Sequence, residues 1–272
     1  RRQAMKHYKE AMVTSKATGN LFQTLLFMTG VGFLHFLDNR LRDAEAMYRQ
    51  TIDLALHPRQ PVLSEAWLGL GKIHYQWSEL EKSEEYARIA LPLGLQLENV
   101  DSDIGIELLL ARLLWKKGER QEAGQLFDSV EEKIHQRGFW LLLPDLLRTR
   151  IQCLLETERS TEALHLVEAN EFAEGKARVL WKMGRATEAL ELIRAECQRL
   201  EQTECRDDWL RCKVLKALIL DANAARQQAL SALREVLQET EAGGHLRLFL
   251  DEGSAMYRLL QAFVQQGHST EA

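Results

Sequence analysis

Prolines are scarce in this chain: four in 272 residues, at Pro58, Pro61, Pro92 and Pro144. The long stretches between them are rich in Ala, Leu, Glu, Arg and Gln, which favour helices. Strand-like alternation of β-branched residues is hard to find, so an all-α fold is expected. Cysteines are also few. Cys153, Cys197, Cys205 and Cys212 form no CxxC pair, which speaks against a zinc or redox motif and for reduced thiols in a cytoplasmic protein. No stretch approaches the roughly 18 apolar residues of a membrane span. No basic-then-apolar leader opens the chain. The net charge of −5 offers no basic excess for nucleic acid or a membrane surface. Enzyme motifs are missing as well, with no GxxxxGK[ST], HExxH or GxSxG. The lone GxG of TGVGFLH, Gly30 and Gly32, lies inside a helical pattern and reads as a pair of helix-packing glycines. No enzyme activity, metal or cofactor is therefore assigned to these residues. The chain does not begin with Met, which predicts a piece of a longer protein.

What is present is repetition. A small residue followed four places later by a bulkier one recurs along the chain: Ala4 and Tyr8, Ala44 and Tyr48, Ala123 and Phe127, Ala163 and Val167, Ala189 and Ile193, Ala229 and Leu233. Ser83 and Ala87 hold the equivalent places in one unit. The steps between the small residues are 40, 39, 40, 40, 26 and 40. Twelve residues before each marker stands Gly32, Gly71, Ala111, Ile151, Ala177 or Ala217, and turns such as KKGER and KMGRA lie between. This is a helix–turn–helix unit in which small residues let two backbones approach. Trp67-x2-Leu70-Gly71-x2-His74 follows the tetratricopeptide first helix, although a period near 40 also suits HEAT or armadillo repeats. The expected fold is an all-α, tetratricopeptide-like superhelix, an α-solenoid with a concave inner surface. Its helix pairs fall at 21–57, 62–98, 101–137, 141–170, 171–204 and 206–241. A partial unit at 1–18 and a capping helix region at 243–266 complete a single repeat domain over 1–272. The step of 26 predicts a short second helix near 161–170 or a compressed pair near 165–180.

The first helix of each pair should line the concave side. Four residues past its small residue stand Phe36, Tyr75, Trp115, Leu155, Trp181 and Asp221; one residue past it stand Phe33, Lys72, Arg112, Gln152, Arg178 and Leu218. These two rows share one helix face. Phe36, Lys72, Tyr75, Arg112, Trp115, Arg178 and Trp181 are therefore the candidate ligand-binding groove. Aromatic faces beside cations suit a sugar, an aromatic acid, an acyl metabolite or a peptide. Packing of the same aromatics between neighbouring helices, with the cations solvated, is the competing reading.

The end of the chain carries a sharper signal. In GGHLRLFLDEG, Gly243 and Gly244 should stop a helix. Leu246, Phe249 and Leu250 should then begin the core face of an incomplete seventh unit, continued by Met256, Leu259, Leu260 and Phe263. ARLLWKKGERQEAGQLFDSVEEKIHQRG, ARVLWKMGRATEALELIRAE and this closing stretch, with Arg247, Phe249, Asp251, Glu252 and Gly253, resemble the tetratricopeptide-like sensor region of the MalT-type, ATP-dependent LuxR-family transcriptional activators. The resemblance covers nearly the whole chain. It implies inducer recognition and self-association in a cytoplasmic regulator. It also implies that ATP and DNA are bound by separate modules, before and after these residues. Inducers differ across that family, so no particular one is implied. A general tetratricopeptide scaffold that binds a peptide or helix is the alternative.

Overall fold

The computed structural model describes residues 2–97, 101–203 and 205–270, the last four in backbone only. Residues 1, 98–100, 204 and 271–272 lie outside the described residues; of these, 1 begins one expected unit, 98 and 204 end two others, and 271–272 end the expected repeat domain. Every regular element among the described residues is helical. In order they are α1 Arg2–Ala17, α2 Leu21–Leu37, α3 Leu41–Leu54, α4 Ser64–Gln76, α5 Leu80–Gly94, α6 Ser102–Lys117, α7 Arg120–Arg137 and α8 Leu143–Glu156. Then come α9 Ser160–Ala169, α10 Ala173–Lys182, α11 Ala186–Glu201, α12 Arg206–Ala222, α13 Arg226–Thr240, α14 Arg247–Leu250 and α15 Ser254–Thr270. Short 3₁₀ turns, Pro61–Leu63 and Trp140–Leu142, precede α4 and α8. No described helix is long and apolar enough to cross a membrane.

One local device builds all six pairs. Within each pair the connecting turn holds one residue at positive φ: Asn39, Ser78, Gly118, Glu158, Gly184 or Ala224. The following amide donates five residues back, as in Arg40 N–H to the His35 carbonyl at 2.9 Å and Ala225 N–H to the Leu220 carbonyl at 3.0 Å. This is the Schellman closure of a helix, and it satisfies carbonyls that the helix end would leave unpaired.

The chain divides into two compact units, 1–146 and 147–272, with the division near the start of α8. In the first unit, α2 with α3, α4 with α5, and α6 with α7 pack as antiparallel pairs behind α1. Ala44, Ala87 and Ala123 are fully buried. The Tyr48 ring is wedged between two glycines. A Cβ on Gly32 or Gly69 would come within 2.7 or 2.2 Å of ring atoms. One on Gly30 would strike Tyr8 at 2.3 Å, so both glycines of TGVGFLH pack against rings. Within the second pair, the Ser83 hydroxyl donates to the Gly71 carbonyl at 2.8 Å, so the backbones meet at the expected small residues.

In the second unit α9 and α10 have only 10 residues each, which is how the step of 26 is accommodated. Gly175 makes the tight fit possible, since a Cβ there would lie 2.5 Å from Phe172 and 2.6 Å from Ile151. Ala163, Ala189 and Ala229 are fully buried. After α13 the chain stops as the glycines require, with Gly244 at φ +69° and its amide donating to the Thr240 carbonyl at 3.0 Å. The cap departs from expectation. Leu246 and Leu250 are exposed, whereas Leu248 and Phe249 join Met256 and Leu259 in the core. The physical reason is a break. The helix expected from Leu246 onward divides at Asp251–Gly253, where Gly253 takes φ +68°, so one helical phase cannot run through both pieces.

Candidate functional site

The first helices of the second unit carry a buried ionic row. Arg148 on α8 donates through Nε and Nη2 to the Glu174 carboxylate on α10, at 3.0 and 2.8 Å. Both side chains are less than a tenth exposed. Nη2 of Arg148 also donates to Asp208 on α12 at 2.9 Å. One turn past Glu174, Arg178 forms a two-pronged pair with Glu252, with N···O distances of 2.6 and 2.7 Å. Glu252 lies 74 residues further along the chain, in the turn between α14 and α15. Gln152 on α8 donates to the Asp251 carbonyl at 2.5 Å, and Asp251 accepts from Arg247 at 3.3 Å. Bidentate guanidinium–carboxylate pairs combine charge with fixed geometry, so Arg178 sets the position of the turn.

The electrostatics agree with the geometry. Burial alone would raise the Glu174 carboxyl. The charge and hydrogen bonds of Arg148, with the charges of Arg178 and Arg211, more than offset it and hold Glu174 below the ordinary carboxylate range. Burial acts against the Arg178 cation too, but Glu252 and Glu174 keep it charged. Lys182 sits at the edge of this group with Nζ 4.4 Å from the Trp181 ring centroid. Burial lowers its pKa, against the pull of Glu252.

The seven candidate groove residues divide between the units. Phe36, Lys72, Tyr75, Arg112 and Trp115 stand on α2, α4 and α6 of the first, and Arg178 and Trp181 stand on α10 of the second. Tyr75 is buried with Leu109 and Leu113 in the α4–α6 core, and Phe36 packs against the core around Tyr48. Arg112 donates to the Asp145 carbonyl at 3.0 Å. Trp115 is half-buried beneath the Arg120 guanidinium, 5.5 Å from its centroid. Lys72 is half-buried beside Gly105 and has no ion-pair partner among the described residues. Trp181 packs against two hydrophobic cores of the second unit. Arg178, read from spacing as a groove cation, is thus already occupied by the chain's own acidic turn.

The row residues that the spacing argument left out are Arg148, Glu174 and Glu252. The first two could be found: each lies four residues before a residue of the one-past row, Gln152 or Arg178, on the same helix face. Glu252 had no such local signal, because only the folded chain brings it to α10. His74 belongs to an aromatic cluster between helices, 5.2 Å from Trp77 and 5.1 Å from Tyr86, with Nδ1 2.8 Å from Glu79. Among the described residues no group of three or more His, Cys, Asp or Glu side chains is placed to hold a metal ion.

Repeated antiparallel helix pairs, closed by the same turn and packed through small residues, define a tetratricopeptide-like helical-repeat protein. The family described as the MalT-like TPR region matches residues 1–266, and the chain belongs to it. Among solved structures, a tetratricopeptide repeat protein from Parabacteroides merdae is 15% identical, with a TM-score of 0.54, and the match covers 96% of this chain and 99% of that one. BtubC from P. vanneervenii is 14% identical over 89% of this chain and 91% of that one, with a TM-score of 0.41. The first likeness supports the fold alone. No curated protein matches this chain.

Proposed function

We propose that this chain is the sensor and self-association region of a LuxR-type transcriptional regulator, and that it acts by binding rather than catalysis. The observation that carries this reading is the grip of Gln152 and Arg178 on the Asp251–Glu252 turn. The first-helix row receives a carboxylate and a carbonyl there, and a ligand offering the same groups would compete for it. Such a ligand must be anionic or rich in acceptors. Arg178 is buried, and leaving it unpaired costs several kcal/mol, about 3 to 5 for a broken buried pair. An inducer that takes Arg178 from Glu252 shifts the population toward a state with α14 and α15 released, a surface through which the regulator self-associates. ATP and DNA are handled by other modules of that regulator. The protein stays off the membrane, in the cytoplasm.

A second reading is a scaffold for an acidic peptide. One observation favours it: the internal occupant of the row is itself a peptide turn. A thermal-shift series with sugars, aromatic acids, acyl metabolites and the synthetic peptide RLFLDEG separates the two, because a ligand that binds only the folded state raises Tm. Wild type and Glu252→Ala are compared. The sensor reading expects a small anionic compound to raise Tm, and to do so more strongly in Glu252→Ala, where its competitor is gone. A shift from the peptide alone supports the scaffold. No shift from any compound in either protein contradicts both.

A further inference from the structure

At the C-terminal end of the second unit, α13, α14 and α15 line a cavity of about 700 Å³ that is open to solvent. It is separate from the first-helix row, and the reading above does not use it. Its walls are apolar: Leu237 from α13, Leu246, Phe249 and Leu250 from around α14, and Leu260 and Phe263 from α15. Leu246 and Leu250 are 51% and 56% exposed, although the periodicity places them in a core. A volume of this size is that of a small-molecule site.

Two polar groups give the cavity a chemistry. Arg234 lines it with its guanidinium 5.6 Å from the Phe263 ring centroid, and it has no carboxylate partner among the described residues. His245 lines it too, only 5% exposed, with Nδ1 lacking a hydrogen-bond partner. Burial lowers the His245 pKa, partly offset by its bond to the Thr240 backbone, so it meets a ligand as a neutral ring. Glu241 is the one anionic lining residue. Arg234, held over an aromatic face and without a carboxylate partner among the described residues, is the anchor for an anionic head group.

We propose that this cavity binds an amphipathic carboxylate, an unbranched acyl chain lying along Leu246, Phe249 and Phe263 with its carboxylate on Arg234. The cavity wall α14 leads directly into the Asp251–Glu252 turn, so occupancy of the cavity bears on the turn held by Arg178.

Isothermal titration of the whole chain with decanoate and dodecanoate, below their micelle concentrations, tests this. Each buried methylene is worth about a fourfold gain, so dodecanoate, two methylenes longer, should bind about fifteenfold more tightly than decanoate. Arg234→Gln, at an exposed position, should weaken dodecanoate about tenfold and leave dodecanol unchanged. Leu246→Glu should weaken both ligands. Three results overturn the proposal: no dodecanoate binding, equal binding by wild type and Arg234→Gln, or tighter binding of dodecyltrimethylammonium, which would give the site to Glu241. Concentration-dependent dimerisation that Leu246→Glu abolishes, without dodecanoate binding, would make the cavity a contact between copies and overturn it as well.

Discussion

The position three residues before the small residue of each first helix is buried in both units, but its chemistry is not the same. In the first unit it holds Thr29, Leu68 and Leu108; in the second it holds Arg148, Glu174 and Val214. The helix pairs of both units close with the same turns and pack through small residues, although α9 and α10 of the second are shortened. Buried ion pairs are poor stabilisers compared with apolar residues of similar volume. An ionic row where uncharged residues serve equally well for folding points to a role beyond stability. In the second unit that role is visible: Glu174 lies one turn before Arg178 and 3.9 Å from it, and Arg178 holds a turn from 74 residues away. The first unit does contain a buried carboxylate, Asp103, but its partner Arg137 comes from the second helix of the same pair, at 3.0 Å, and holds no distant segment.

Breaking the ionic row should produce the largest effect. Glu174→Gln leaves Arg148 and Arg178 short of a buried partner and should cost about 3 kcal/mol. The double variant Arg148→Met, Glu174→Leu, which makes the row resemble that of the first unit, should recover most of the loss. Chemical denaturation followed by tryptophan fluorescence checks both.

The matching weak point of the first unit is steric. Gly69→Ala drives a methyl into the Tyr48 ring and should cost about 1 to 3 kcal/mol, readable as a lower denaturation midpoint.

Acid should then separate the units. Each has one buried histidine whose pKa is lowered, chiefly by burial: His35 in the first and His245 in the second. The unfolded chain protonates these at higher pH than the folded one, so both units lose stability as pH falls below about 6.5. Glu174 adds a second step. Its folded pKa lies below the unfolded value, so its stabilisation is full above about 4.5 and disappears as pH falls through the folded value. Amide exchange measured from pH 7 to 3.5 should show the second unit loosening further at the acid end.

The smallest effect lies in the turns that both units share. Ala224 and Glu158 adopt positive φ at 59° and 60°, where Gly stands in the turns at 118 and 184. Ala224→Gly and Glu158→Gly should each stabilise by about 0.5 to 1 kcal/mol, seen as a higher Tm.

These turns also mark how far the sequence could be read. KKGER and KMGRA announce themselves through glycine. The turns at Asn39, Ser78, Glu158 and Ala224 have the same closure without that residue, and the repeat spacing alone betrayed them. Fold class was legible because small residues recur at the same phase and each phase is buried. The cap was misjudged at Leu246 and Leu250, because periodicity assumes an unbroken helix and Gly253 breaks it. In the candidate site, Gln152 and Arg178 could be placed on one face by counting, but their partners Asp251 and Glu252 could not. A contact across 74 or 99 residues leaves no local pattern.

The claim that the Asp251–Glu252 turn is held by the first-helix row is tested most directly by hydrogen exchange on Glu252→Gln. The substitution keeps the side-chain shape and removes the charge that faces Arg178. Exchange should quicken at least tenfold in 173–182 and 247–258 and stay unchanged in the first unit. Unchanged protection of those two segments would contradict the claim.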